Sequence, residues 1–182
     1  MHSDSTYSDL EKQYRNGSES WGDDEELTNQ IVAYVNTVPH ESILEVGPGR
    51  GYLLRKLTEL SPKVTAIDVS ATALKSAKEH APEAQMIESS FEDLPVNTTY
   101  DVIICSEVLY YMKNRKQIIE KLQQSGQYLI TSHYIFSGLN IGFGSIFYEL
   151  YLRKFSLLKF RTKFSHNPFG VELISLWKLN ST

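Results

Sequence analysis

The 182-residue sequence has little cysteine, no unbroken apolar run of membrane-spanning length, and no pair of Cys/His clusters at zinc-binding spacing. The single cysteine, Cys105, excludes an internal disulfide and fits a reducing compartment. It lies in the apolar run 102–105, which favours a buried strand residue over a nucleophile. Residues 1–9 are polar and lack the basic start and apolar core of a signal peptide, so we expect a cytoplasmic protein without a bound metal.

Charge is unevenly distributed along the chain, although the formal net charge is only −4. Residues 1–112 hold 8 Lys+Arg and 19 Asp+Glu, whereas residues 113–182 hold 10 Lys+Arg and 3 Asp+Glu. The bases of the second half are scattered and form no long run, so a solvated surface is favoured over a nucleic-acid interface. Residues 134–152 carry one charged side chain, Glu149, but Gly, Ser and Asn interrupt them, which argues against a transmembrane helix.

A glycine-rich turn is the most informative feature of the sequence. Residues 43–51 begin with a short apolar run that reaches the acid Glu45. Three glycines follow at alternate positions, Gly47, Gly49 and Gly51. Glycine lets the backbone approach a ligand at positions where a Cβ atom would collide with it. A second apolar strand ends in Asp68, whose carboxylate is placed to reach a ribose. The pattern predicts a nucleoside-cofactor site.

The spacing of the glycines favours S-adenosylmethionine over a dinucleotide. A dinucleotide turn follows Gly-x-Gly-x-x-Gly and would need a small residue where Tyr52 stands. The third glycine is instead Gly51, which gives Glu-x-Gly-x-Gly-x-Gly and no cradle for a pyrophosphate. A nicotinamide oxidoreductase would therefore explain Asp68 but not Tyr52.

Strands that alternate with helices predict one α/β domain over residues 1–182, with a doubly wound and mostly parallel sheet. Residues 1–20 are polar and are expected to hold little structure alone, and a helix is expected at 21–37. Residues 157–165 and 171–179 read as two strands of a hairpin, and residues 134–156 as a cover over the active site.

These motifs resemble the class I S-adenosylmethionine-dependent methyltransferases, through the Glu45–Gly51 turn, Asp68, and the stretches 91–95 and 101–111. Trp21 and the stretch 106–112 resemble more narrowly the nodulation protein S branch, whose members N-methylate a deacetylated chitooligosaccharide. The resemblance implies a seven-stranded sheet with helices on both faces and an antiparallel C-terminal strand.

The resemblance also implies roles for individual residues. The Gly47–Gly51 turn would pack against the methionine part of the cofactor, with Glu45 near its ammonium group and the carbonyl of Ser106 helping to hold it. Asp68 would accept hydrogen bonds from both ribose hydroxyls. The adenine would lie between Val69 and Phe91. The remaining predicted contacts are Trp21, which would close over the site, and Ser90.

Ser90 is where the sequence departs from the family, which commonly has an acid there to accept a hydrogen bond from the adenine amino group. Either the Ser90 hydroxyl or the carboxylate of Glu92 could take that place.

Three residues follow strands whose carboxyl ends would meet the acceptor. His133 is predicted as the general base because it follows the fifth strand and has a suitable reference pKa. Glu107 would bind a cationic or hydroxylated acceptor, or else cap a helix. Tyr110 would offer an aromatic face to a sugar or a cation.

The sequence thus predicts an enzyme that methylates N or O of a small polar acceptor, such as an amino sugar or oligosaccharide. One alternative is a methyltransferase-like partner protein that binds cofactor without turnover. An RNA methyltransferase is a lesser alternative, because the Asn/Asp-Pro-Pro-Tyr type of loop is absent after strand four.

Overall fold

The computed structural model describes residues 3–17, 23–95, 98–112, 114–136, 155–164 and 170–179. Within these ranges a seven-stranded sheet is flanked by helices on both faces. The helices are α1 (Ser3–Asn16), α2 (Glu25–Val35), α3 (Tyr52–Leu60), α4 (Ala71–His80) and α5 (Arg115–Ser125). The strands are β1 (Ser42–Val46), β2 (Lys63–Asp68), β3 (Gln85–Glu88), β4 (Tyr100–Ser106), β5 (Gly126–Phe136), β6 (Ser156–Phe164) and β7 (Gly170–Lys178).

The strand order is β3-β2-β1-β4-β5-β7-β6. Strands β1 to β5 pair in parallel, and β7 runs antiparallel to both of its neighbours. This confirms the predicted doubly wound sheet with an antiparallel C-terminal strand. The order reverses between β1 and β4, and in such sheets the crevice at the reversal is where ligands bind.

Continuous apolar runs form the central strands because both faces of the sheet are covered. One core cluster joins β1, β4 and β5 to α5, and the other joins the opposite face of the same strands to α2 and α3. Ile103 and Ile104 are adjacent in β4 and fully buried on opposite faces.

The fifth strand was predicted to end before His133, whereas β5 continues to Phe136 because it pairs with β7 from Tyr128 onwards. Helix α2 lies within the predicted range 21–37 and begins after Asp24, whose carboxylate accepts a hydrogen bond from Leu27 N. The predicted cover at 134–156 lies mostly outside the described residues.

Residues 3–16 were expected to hold little structure alone, and the structure instead has helix α1 there. A long-range contact explains the difference. Glu11 accepts hydrogen bonds from the hydroxyls of Ser70 (2.5 Å) and Thr72 (2.7 Å) at the start of α4. Arg15 pairs with the same carboxylate at 2.7 Å. The helix therefore depends on a tertiary contact that local sequence does not reveal.

The described residues contain no helix that is both long enough and apolar enough to cross a membrane.

Replacing Glu11 with Ala is expected to detach α1 from α4. Charge-assisted hydrogen bonds of this kind contribute about 1.5–3 kcal/mol, and the hydroxyl bonds hold the pKa of Glu11 down at about 2. Hydrogen–deuterium exchange should show faster exchange across residues 3–16, with the sheet unaffected. Asp9→Ala, an exposed acid on the same helix, is the matched control. Equal protection of α1 in both variants would contradict the docking role of Glu11.

Candidate functional site

A cavity of about 690 Å³ opens at the carboxyl ends of β1, β2 and β4, where the strand order reverses. This volume falls within the range of about 300–1,000 Å³ that is usual for small-molecule sites. Most of the residues that the sequence predicted for a cofactor or an acceptor line the cavity: Glu45, Gly47, Gly49, Asp68, Val69, Ser90, Phe91, Ser106, Glu107 and Tyr110.

The glycine turn adopts a backbone that other residues rarely take. Gly47, Gly49 and Gly51 have φ of 71°, 55° and 88°, all in the left-handed region. A Cβ atom on Gly47 would lie 2.8 Å from Val108 Cγ2. A Cβ atom on Gly51 would lie 2.6 Å from Ala77 Cα, so Gly51 brings α3 against α4. Gly51 does not itself line the cavity, and its part there is to shape the turn.

Glu45 and Asp68 place two carboxylates inside the cavity wall. Glu45 is 3% exposed, and its Oε2 atom is buried without a hydrogen-bond partner among the described residues. Burial, together with the nearby charge of Asp68, raises the pKa of Glu45 to about 8. Burial also raises the pKa of Asp68 to about 6, although main-chain N–H groups of Ser70, Val69 and Gly49 oppose the rise. A cationic ligand would relieve both groups.

The loop after β3 forms the far end of the cavity. Phe91 is 2% exposed and presents an aromatic surface, while Val69 faces the cavity from the loop after β2. The Ser90 hydroxyl donates to Asp93 Oδ2 at 2.6 Å and accepts from Asp93 N at 3.2 Å. Ser90 therefore stabilises its own turn.

Glu107 is held firmly at the end of β4. It is the one described residue other than glycine with a positive φ, 54°. Its Oε1 accepts from the Ser132 hydroxyl and its Oε2 from the Tyr110 hydroxyl, each at 3.1 Å. The Ser132 hydroxyl in turn lies 2.9 Å from that of Ser106. Such a network fixes the carboxylate where β4 meets the cavity.

The structure does not bring His133 to the cavity. It lies within β5 rather than after it, is fully buried, and is absent from the cavity lining. Successive residues of a strand face opposite sides of the sheet, so His133 points away from the side on which Ser132 contacts Glu107. Burial lowers the pKa of His133 to about 4. The predicted base therefore has no access to an acceptor, and Glu107 is the better placed group.

Trp21 lies outside the described residues. Several other lining residues were not expected, because nothing local marks them. Leu10 and Tyr14 come from α1, which the Glu11 contact carries to the cavity, and Glu172 comes from β7. Glu172 is 6% exposed and stands opposite Tyr134 in the register. Docking of α1 on α4 brings Leu10 and Tyr14 to the site, and the pairing of β5 with β7 brings Glu172.

Comparison with known proteins points to methyltransferases. Residues 44–126 match a protein family described as "Methyltransferase domain". The chain resembles methyltransferases in sequence and in fold. The predicted resemblance to class I methyltransferases and to the nodulation protein S branch is thereby confirmed.

Curated relatives match parts of the chain. Ubiquinone biosynthesis O-methyltransferase of Rickettsia canadensis is 35% identical over 104 residues, which is 55% of this chain and 44% of that protein. Nodulation protein S of Azorhizobium caulinodans is 29% identical over 99 residues, which is 50% of this chain and 48% of that protein. The chain thus spans about half the length of the curated relatives that it matches.

Among solved structures, N-methyltransferase NodS from Bradyrhizobium japonicum WM9, in complex with S-adenosylhomocysteine, has a TM-score of 0.81. The two chains are 16% identical, and the match covers 97% of this chain and 99% of that one. This likeness establishes the fold. Together with the sequence matches, it supports the predicted enzyme class and the predicted cofactor, S-adenosylmethionine.

The buried acid Glu45 predicts how stability depends on pH. The pKa of Glu45 is about 8 in the folded protein, compared with an ordinary value of 4.5. At a pH between these two values, folding is therefore accompanied by uptake of a proton. The free energy of unfolding of the free protein should therefore fall as pH rises from about 5 to about 8. Thermal unfolding across this range should show a smaller decline for Glu45→Gln, which cannot ionise.

Glu41→Gln is the matched control, since Glu41 is an exposed acid just before the same strand. Wild-type protein and both variants declining in parallel would show that Glu45 does not titrate in this range.

Proposed function

We propose that this chain is an S-adenosylmethionine-dependent methyltransferase acting on nitrogen or oxygen of a small polar acceptor. The observation that carries the proposal is the unpartnered, buried Oε2 atom of Glu45 beside the glycine turn, within a cavity that Asp68 also lines. The charge of Asp68 opposes ionisation of the buried Glu45, so the pair suits a ligand that brings positive charge.

The methionine end of the cofactor fits the turn between β1 and α3. The left-handed glycines remove the Cβ atoms that would keep a ligand away from the main chain. The carboxylate of Glu45 would accept a hydrogen bond from the ammonium group, since its Oε2 atom has no other hydrogen-bond partner among the described residues. The carbonyl of Ser106, at the end of the neighbouring strand, would be a second acceptor.

The nucleoside end fits the carboxyl edges of β2 and β3. A carboxylate can accept about four hydrogen bonds, so Asp68 retains capacity for ribose hydroxyls beyond its main-chain donors. The adenine would lie between Val69 and the ring of Phe91. This places the cofactor along the strand ends from β4 across to β3.

When bound, the cofactor would supply an electrophilic methyl group on a sulfonium, with the neutral thioether S-adenosylhomocysteine as the leaving group. The protein's part is to position the acceptor, exclude water and receive the acceptor's proton. Glu107 is the group we assign to the proton and to binding of the acceptor. Tyr110 hydrogen-bonds to it and completes the wall beside the acceptor.

An amine is the acceptor that the cavity suits best. Beyond the cofactor acids, the lining includes Glu107, Glu172 and Asp23, while Arg50 is the only basic side chain among its described residues. Acidic walls attract ammonium groups and hydroxyl donors, as an amino sugar would present. A ring of Tyr110 or Tyr111 could stack on the sugar face or the cation. The similarity to nodulation protein S supports the same choice.

Calorimetric titration with S-adenosylhomocysteine tests the cofactor assignment. Wild-type protein should bind it at micromolar or tighter affinity, with no binding of reduced nicotinamide dinucleotide in a parallel cell. Asp68→Ala should weaken binding by about 1–3 kcal/mol through loss of a charged hydrogen-bond acceptor. Glu83→Ala, an exposed acid remote from the cavity lining, should bind as the wild type does. Unchanged affinity in Asp68→Ala would contradict the ribose assignment.

Methyl transfer to a panel of amino sugars and phenols tests the acceptor side. Glu107→Gln keeps the shape of the side chain but cannot take a proton, so kcat should fall by about 100-fold or more while cofactor affinity stays near wild type. Glu120→Gln, an exposed acid on α5, is the control. Full turnover by Glu107→Gln would remove it as the base. Cofactor binding without methyl loss on any acceptor would favour a partner protein that has no turnover.

A further inference from the structure

The turn after β3 carries two side chains, Ser90 and Glu92, that could accept a hydrogen bond from the amino group of the adenine. Ser90 stands at the position of the acid that the related enzymes commonly carry. Its hydroxyl hydrogen is directed to Asp93 Oδ2 and its oxygen already accepts from Asp93 N. Asp93 N also donates to the Ser90 carbonyl at 3.2 Å, so all three bonds close the turn itself. The hydrogen of the Ser90 hydroxyl and one of its two oxygen lone pairs are thereby committed to the turn.

Glu92, two residues further on, has the properties that Ser90 lacks. It is half-buried and lines the cavity. Its Oε2 atom is buried and has no hydrogen-bond partner among the described residues. A buried carboxylate oxygen without a donor is costly, and a ligand that supplies an N–H group would remove the cost. An ionised carboxylate has hydrogen-bond acceptors and no donor. It therefore favours a ligand group that carries an N–H and disfavours a ring nitrogen that lacks a hydrogen.

Lys121 fixes the main chain at this point. It projects from α5 and is only 7% exposed, and its ammonium group donates to the carbonyl oxygen of Glu92. The same ammonium lies 5.9 Å from the centre of the Phe91 ring. Burial lowers the pKa of Lys121, while the carboxylates of Asp93 and Glu92 oppose that change. A single buried cation thus anchors two consecutive residues of the cavity wall.

We propose that Glu92 accepts a hydrogen bond from the exocyclic amino group of the cofactor's adenine, with Lys121 as the positioning residue that holds the Phe91–Glu92 segment in place. The proposal rests on the function proposed above, since it assigns the far end of the same cavity to adenine. Phe91 then contacts the face of the base and Glu92 its edge. Selectivity for adenine then comes from Glu92, whereas the related enzymes commonly have the acid at the position of Ser90.

The experiment compares S-adenosylhomocysteine with its analogue that carries unsubstituted purine, which lacks only the amino group. Calorimetry gives the ratio of the two dissociation constants for each protein. In the wild type the purine analogue should bind about tenfold more weakly, as expected for one hydrogen bond to a charged group. Glu92→Ala should weaken S-adenosylhomocysteine and leave the analogue nearly unchanged, so the ratio falls to about one.

Two variants complete the comparison at this turn. Glu88→Ala removes an exposed carboxylate at the end of β3 that does not line the cavity, and it should keep the wild-type ratio. Ser90→Ala should also keep the wild-type ratio, even if a loosened turn weakens both ligands alike. A ratio that stays at the wild-type value in Glu92→Ala, or that falls to one in Ser90→Ala alone, would overturn the assignment of Glu92.

The role of Lys121 has its own readout. Lys121→Met retains the length of the side chain but cannot donate to Glu92, so the ratio should fall towards one while the sheet stays folded by circular dichroism. A merely structural lysine would weaken both ligands equally and leave the ratio unchanged, which would overturn the positioning role.

The outcomes separate this inference from the proposed function. If neither ligand binds the wild-type protein, the cofactor assignment fails and the inference fails with it. If S-adenosylhomocysteine binds tightly but Glu92→Ala leaves the ratio unchanged, only the inference fails.

Discussion

Two carboxylates near the ends of adjacent parallel strands line one cavity, and the arrangement of the site depends on them. Glu45 is buried in β1, one residue before the strand ends, and the half-buried Asp68 ends β2; the glycine turn follows β1. Burial raises the pKa of both groups, and a nearby carboxylate adds to each rise: Asp68 for Glu45, and Glu11 for Asp68. The protein thus holds unfavourable electrostatic energy that a positively charged ligand can relieve, which makes the cavity selective for such ligands.

The surrounding elements keep this pair in place. Gly51 allows α3 to pack closely on α4, because any Cβ there would strike Ala77. Ser70 caps the N-terminus of α4, and its hydroxyl donates a hydrogen bond to Glu11 of α1. A single residue therefore joins the loop after β2 to helix α1. On the other side, Ser132 joins β5 to Glu107. The site is therefore assembled from contacts that are far apart in sequence.

The two ends of the cavity differ in chemistry. The end proposed for the cofactor combines main-chain groups, glycines and the acids Glu45 and Asp68. The end proposed for the acceptor is aromatic and acidic, with Tyr110 and Tyr111 in contact at 4.5 Å between ring centroids and Glu107 beside them. This division suits a reaction in which the protein contributes placement and proton acceptance while the reactive methyl group comes with the cofactor.

The sequence by itself determined the sheet, the turn and most of the residues that line the cavity around that turn, because each of these is encoded locally. Apolar runs that end in Glu45 and Asp68 form strands, and a left-handed turn requires glycine at fixed positions. Only the tertiary structure decided the rest. Histidine has the reference pKa of a base, but the pairing of β5 with β7 extends the strand past His133, and the fold buries it. Tyr14 and Glu172 reach the cavity, and Lys121 reaches the main chain of Glu92, through helix docking and strand register, which local patterns do not encode.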